Sequence, residues 1–234
     1  AFRAGLLDAA HTATVKAAYD AAAPFQHAVL EDAFDPDILR AAREEIVTHV
    51  AATYKETDLF KMFQTGDLAN LDALDAAASG KLKATRAVRD AIDSPAFRAF
   101  VSSVTGCPDL RPAADCACNV HAGGGHLLCH DDVIGDRAVS FIVYLTDPDI
   151  PWTAADGGAL ELYPEGQGTK GERVRGRAVC AFRRRSRPPP FSRHPAPARD
   201  HARCLHPPPV ELGRLVCGGA RALLSRDSRG GGAR

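Results

Sequence analysis

Residues Val139-Ser140-Phe141-Ile142-Val143-Tyr144-Leu145 form an almost unbroken apolar and β-branched run. Such a run reads as a strand that must be covered on both faces, because neither side of the pleat carries a row that water would solvate. It therefore demands a layered domain. The covering material lies upstream. Asp35-Pro36-Asp37 followed by Ile38, Leu39, Ala42, Ile46 and Val50 predicts a helix with an Asp cap, Pro in its first turn and an apolar stripe at three-to-four spacing. Further helices are expected over Ala9–Ala23, Asp67–Ala78, Lys83–Ile92 and from the Ser94-Pro95 cap to Val104. Short strands are expected at Gln26–Leu30 and Lys55–Phe60.

The character changes after Gly106-Cys107-Pro108. Cys116–His121 and Arg137–Leu145 read as strands. Asp156-Gly157-Gly158 is a turn signal, and Ala159-Leu160-Glu161-Leu162-Tyr163 alternates as a half-buried strand does. Helices first and strands after them point to an α+β domain with a sheet sandwich or barrel. Its helical part is expected over residues 1–106 and its sheet part over 107–165.

From residue 166 onward the pattern fails. Residues 1–170 hold 14 Lys+Arg against 25 Asp+Glu, a charge of −11. Residues 171–234 hold 15 Arg, no Lys and 4 acids, a charge of +11. That tail carries Arg183-Arg184-Arg185, Pro188-Pro189-Pro190, Pro207-Pro208-Pro209 and Gly230-Gly231-Gly232, with one candidate strand at Val174–Phe182. Its periodicity is too poor to build a core, and 166–234 is expected to be mostly without structure. Its guanidinium groups could meet RNA phosphates, but only Phe182 and Phe191 interleave them, which disfavours base stacking. This composition matches a shifted reading frame or a retained intron in a GC-rich gene. An unbroken frame in the transcript across codons 160–180 would discard that origin.

No run of about 18 apolar residues exists, so no membrane-spanning helix is expected. The N-terminus lacks the apolar stretch of a secretory leader and begins without Met, as an internal fragment or a processed start does. Seven cysteines at unrepeated spacings favour reduced thiols in the cytoplasm or nucleus over a disulfide framework. Cys116-Ala117-Cys118 has no second pair at zinc-finger spacing.

The densest group of potential ligands is His126-Leu127-Leu128-Cys129-His130-Asp131-Asp132. Residues two apart on a strand point the same way, so His130 and Asp132 can aim at one point, with Asp131 on the opposite side. An H-x-D pair supplies two-thirds of the 2-His-1-carboxylate triad that holds non-haem Fe(II) and leaves three positions open. His121 and His126 read as structural or solvent-facing, and Cys129 as a small buried hydrophobe.

Three further blocks give the pair its context. Leu127 to Asp132, then Phe141-Ile142-Val143-Tyr144-Leu145, then Asp156 to Tyr163 resemble the ribosomal prolyl hydroxylase family of 2-oxoglutarate and Fe(II)-dependent oxygenases. Upstream, Lys55-Glu56-Thr57-Asp58-Leu59-Phe60-Lys61-Met62-Phe63-Gln64-Thr65-Gly66-Asp67-Leu68 is similar to another block of that family. The resemblance covers roughly residues 20–165. It implies a double-stranded β-helix (jelly-roll) with N-terminal supporting helices and incomplete distal strands. It also implies Fe(II), 2-oxoglutarate as cosubstrate, ascorbate, O2, and a proline of the small-subunit ribosomal protein at the decoding centre as target. His130 and Asp132 would ligate iron, and Tyr144, twelve residues after Asp132, would hydrogen-bond 2-oxoglutarate. The family also uses a distal His and an Arg for the far carboxylate. Of His194, His201 and His206, His194 stands at a fitting distance, but no Arg-bearing strand follows it. These residues are not expected to supply the family's second β-helix domain. The competing expectation is a catalytically inactive β-helix remnant that serves as a binding module.

Overall fold

The computed structural model describes residues 1–23, 26–73, 80–108, 110–111, 116–130, 138–146, 149–150, 160–162, 172–174 and 202–204. Among the described residues four helices stand where local chemistry puts them: α1 (Ala9–Ala21), α2 (Pro36–His49), α3 (Lys83–Ile92) and α4 (Pro95–Thr105). Asp35 caps α2, its side chain accepting from the N–H of Asp37 at 2.9 Å and of Ile38 at 3.3 Å, with Pro36 at the first position. Ser94 Oγ accepts from the Phe97 N–H at 3.1 Å at the start of α4. That helix ends at Gly106, whose left-handed φ of 63° suits a residue without Cβ. The helix expected over Asp67–Ala78 opens as a 3-10 turn, Leu68–Asn70, and continues through 71–73. Its remainder lies outside the described residues.

Helix α3 has no cap of its own, because Leu82 precedes it. The carboxylate of Glu45, on α2, fills that role. It accepts from the N–H groups of Ala84 and Thr85 and from Thr85 Oγ1, each at 2.8 Å. An anion on the positive end of a helix, satisfying otherwise orphaned donors, is worth about 1–2 kcal/mol. Glu45→Ala is therefore expected to lower unfolding free energy by about that amount in urea titration, and Glu45→Gln by less. An unchanged midpoint for the alanine variant would refute the inter-helix cap.

The described strands form one seven-stranded sheet. Its strands are β1 (Ala52–Glu56), β2 (Phe60–Thr65), β3 (Asn119–Val120), β4 (His126–His130), β5 (Leu160–Leu162), β6 (Glu172–Val174) and β7 (Ala202–Cys204). Their order is β1-β2-β4-β7-β5-β6, with β3 also on β2, and every pairing is antiparallel. Helices with one sheet make an α+β architecture. Two three-residue strands, β6 and β7, fall within the segment read from sequence as an unstructured tail. Their backbone groups pair with β4 and β5, a tertiary partner that composition does not report.

The strand expected over Lys55–Phe60 is instead a hairpin tip. Thr57 Oγ1 accepts from the N–H of Leu59 and of Phe60, folding the chain back so that β1 and β2 pair. Cys116–His121 is extended, but only Asn119–Val120 joins the ladder. The N–H of Cys116 goes to Asp67 Oδ1 and that of Cys118 to Thr65 Oγ1. Gln26–Leu30 is extended without strand pairing among the described residues, with Ala28 and Leu30 buried.

The apolar run has both faces covered, though its described part, 138–146, joins no ladder among the described residues. Val139, Phe141, Val143 and Leu145 enter the main core with Tyr19, Phe97 and Val101. Ile142 and Tyr144 turn the other way, onto Leu160 and Leu162. The alternation puts one row of the run on the helices and the other on the sheet.

Candidate active site

The site is organised by strand β4. On one side Leu127 stands opposite Phe60 and His126 opposite Lys61. The Leu128 N–H donates to the Leu59 carbonyl at 2.8 Å. On the other side Leu127 stands opposite Cys204, but His130 stands opposite Ala202. Three steps on β4 thus match two on β7, which is a bulge. The extra residue shifts the side-chain alternation by one. His130 consequently shares a face with Leu127, not with His126.

That shift decides what His130 meets. Across β7, Leu160 stands opposite Cys204 and Leu162 opposite Ala202, so both leucines lie on the face of His130. Tyr144 packs against the same two leucines. Two residues singled out by sequence, His130 and Tyr144, are thereby gathered on one side of the sheet. Asp132 and His194 lie outside the described residues, as does the side chain of Cys129. Among the described residues no group of three or more potential metal ligands occurs.

His130 suits a metal ligand in one respect the structure does show. Its Nδ1 lies 2.7 Å from the Leu128 carbonyl oxygen, which can only accept. Nδ1 therefore carries the proton and Nε2 the lone pair, the tautomer in which an oriented histidine ligates through Nε2.

Upstream of β4, the chain leaves β2 for the turn Ala122–Gly125 and then rejoins it, the Gly125 N–H donating to Ala122 oxygen at 2.8 Å. A Cβ on Gly125 would stand 2.9 Å from the Ala122 oxygen and 3.1 Å from the Lys61 oxygen, both backbone atoms that cannot step aside. Glycine here allows the strand carrying His130 to lie against β2.

His121 is half-buried just before this turn. Burial, followed by the charge of His126, lowers its pKa to about 4. The unfolded imidazole titrates near 6.5, so between these values the unfolded chain binds the proton more readily. Stability must then rise with pH across that window and fall as pH drops through it. Allowing for partial exposure, the loss from pH 7 to pH 4 attributable to His121 is roughly 1–3 kcal/mol. His121→Gln should flatten that part of the urea-midpoint profile. An unaltered profile would contradict this assignment.

Cys107, Cys116 and Cys118 are buried free thiols in the main core, and burial pushes the Cys116 thiol well above its ordinary range. Among the described residues no helix is long and apolar enough to cross a membrane.

Residues 116–183 match the family model of the 2OG-Fe(II) oxygenase superfamily. This stretch contains β3, β4 with His130, the segment of Tyr144, β5 and β6. Over those residues the chain resembles the 2OG-Fe(II) oxygenases. The match extends past residue 165, where the sequence pattern ended the domain. Among curated proteins, the chain is 50% identical over 140 residues to the prolyl 3,4-dihydroxylase OGFOD1 of Ostreococcus tauri, covering 60% of this chain and 27% of that one. It is 33% identical over 141 residues to the prolyl 3-hydroxylase OGFOD1 of Mus musculus, covering 60% and 23%. These relatives bear out the resemblance to prolyl hydroxylases. The chain spans about a quarter of the length of the curated relatives it matches. Its fold is similar to that of a Pseudomonas putida prolyl-4-hydroxylase, with a TM-score of 0.54 at 14% identity over 93% of this chain and all of that one. The epimerase SnoN of nogalamycin biosynthesis is similarly alike, with a TM-score of 0.53 at 14% identity over 89% of this chain and 82% of that one.

Sequence reasoning singled out the H-x-D pair and Tyr144 as candidates. It missed the bulge, and with it the placement of Phe60, Leu160 and Leu162 on the face of His130. No residue type marks that bulge.

Proposed function

We infer that this chain is the catalytic domain of a 2-oxoglutarate- and Fe(II)-dependent prolyl hydroxylase acting on a small-subunit ribosomal protein. The observation that carries this reading is the β4 bulge, which gathers His130 and Tyr144 on one face within the stretch matching the oxygenase family. The sheet then corresponds to part of a double-stranded β-helix, with the helices supporting it from outside.

In this reading His130 Nε2 and the Asp132 carboxylate hold the iron. When bound, Fe(II) and 2-oxoglutarate supply the oxidative decarboxylation to succinate and CO2 and the oxygen delivered to the prolyl ring, with ascorbate as reductant. The chain's own residues orient and exclude. Leu128 fixes the His130 tautomer through its carbonyl. The Tyr144 hydroxyl donates to a 2-oxoglutarate carboxylate, its ring held against Leu160 and Leu162. These leucines, 6% and 4% exposed, keep water from that side. The buried thiols suit a reducing compartment, the cytoplasm or nucleus.

Incubation of the chain with Fe(II), ascorbate and 2-oxoglutarate should yield succinate, and a peptide bearing the ribosomal proline should gain 16 Da, the mass of about one oxygen atom. No succinate together with weak iron binding would replace this reading with that of an inactive β-helix remnant.

A further inference from the structure

Phe60 opens β2 and reaches the site through a row of strand pairings. It stands opposite Leu127, Leu127 opposite Cys204, and Cys204 opposite Leu160, so these positions share one face. His130 and Leu162 occupy the next row of the same face. Neighbouring strands lie about 4.8 Å apart, and one pleat repeat along a strand covers about 6.7 Å. Phe60 is thus one strand and one repeat from the imidazole.

Its backbone is fixed on both sides. The Thr57 N–H donates to the Phe60 carbonyl at 2.9 Å, and Thr57 Oγ1 accepts from the Phe60 N–H at 3.3 Å. The preceding carbonyl, that of Leu59, accepts from Leu128. The side chain is nevertheless only half-buried. Other phenylalanines have ring contacts among themselves: Phe2 with Phe34 and Phe97, and Phe97 with Phe100 and Phe141. Phe60 has no ring neighbour among the described residues. A rigidly held, half-open aromatic face beside the metal-binding histidine has the form of a subsite waiting for a flat apolar group.

We propose that Phe60 is the platform on which the target prolyl ring stacks, and so the residue that selects proline. The inference rests on the prolyl hydroxylase reading. A pyrrolidine ring is compact and uncharged, and its C–H bonds next to the amide nitrogen are polarised towards positive. Laid on the negative face of a phenyl ring, it gains both buried area and a quadrupole attraction. Alanine at the target position offers neither.

The test measures binding of two fluorescent peptides to the iron-loaded full chain under argon. One carries the ribosomal proline, and the other has alanine in its place. Phe60→Leu keeps an apolar side chain without the ring, and Phe60→Tyr keeps the ring. Leucine is expected to weaken the proline peptide by about tenfold, the upper end of aromatic contact energies. Tyrosine should stay within about twofold, and neither variant should change the alanine peptide. A leucine variant that shifts both peptides equally, or neither, overturns the platform. So does a wild-type chain that binds the two peptides alike. A wild-type chain that prefers proline through Phe60 yet never forms succinate would leave the platform standing and sink the hydroxylase reading instead.

Discussion

Alanine at Asp132 is expected to strip the protein of its iron. An H-x-D pair contributes two of the protein ligands of a facial triad, and the carboxylate is its only anionic member. Its loss removes both an oxygen donor and the charge that offsets the dication. Even partners that merely orient a ligand change metal affinity by about 10- to 100-fold, so loss of the ligand itself should exceed that. The measurement is iron content after anaerobic loading and desalting. Wild type should retain about one iron per chain, and Asp132→Ala and His130→Ala less than about a tenth of that. Asp131→Ala is the control, since a strand neighbour one position from Asp132 is expected to face the other way. Equal iron in Asp132→Ala and wild type would end the oxygenase account of this site, and equal loss in the control would reduce it to a general effect of negative charge.

The second large effect is expected at Phe141→Ala. Phe141 is 2% exposed and meets Phe97 edge-on, with ring centroids 6.3 Å apart. Truncating a phenylalanine in such a core costs about 3–5 kcal/mol, from lost transfer energy and from the cavity left behind. That is a large share of the roughly 5–15 kcal/mol that holds a domain folded. Urea denaturation should show it as a much lower midpoint, whereas Val47→Ala, at a side chain 55% exposed, should stay within about 0.5 kcal/mol. A second consequence follows from position. Phe141 anchors the helix-facing row of the run whose other row carries Tyr144, so 2-oxoglutarate should bind Phe141→Ala more weakly even where that variant is still folded. A midpoint unchanged from wild type would show that the run does not bind the helices to the sheet.

Much of the framework was legible because it is local. The caps of α2 and α4 act within four residues, and the apolar stripes of these helices repeat within a turn. Periodicity therefore located α1 to α4 to within a few residues. The hairpin tip was misread as a strand. Thr57 and Phe60 both favour strands by composition, and the hydrogen bonds of Thr57 Oγ1 and of the Thr57 N–H turn the chain between them. The Glu45 cap on α3 was invisible for a different reason, since its partners lie 39 and 40 residues away.

Taken alone, the sequence singled out the side chains expected to carry chemistry. His130, Asp132 and Tyr144 are chosen by residue type and short spacing, and Val139 to Leu145 by the need for cover on two sides. Tertiary structure decided which way the described ones face. Whether His130 looks towards Tyr144 or away from it depends on one extra residue in β4 relative to β7, a strand more than seventy residues further along the chain. Strand side chains alternate with a period of two, so a single inserted residue reverses every direction beyond it. No stretch of sequence short enough to be read by pattern contains both strands of that ladder.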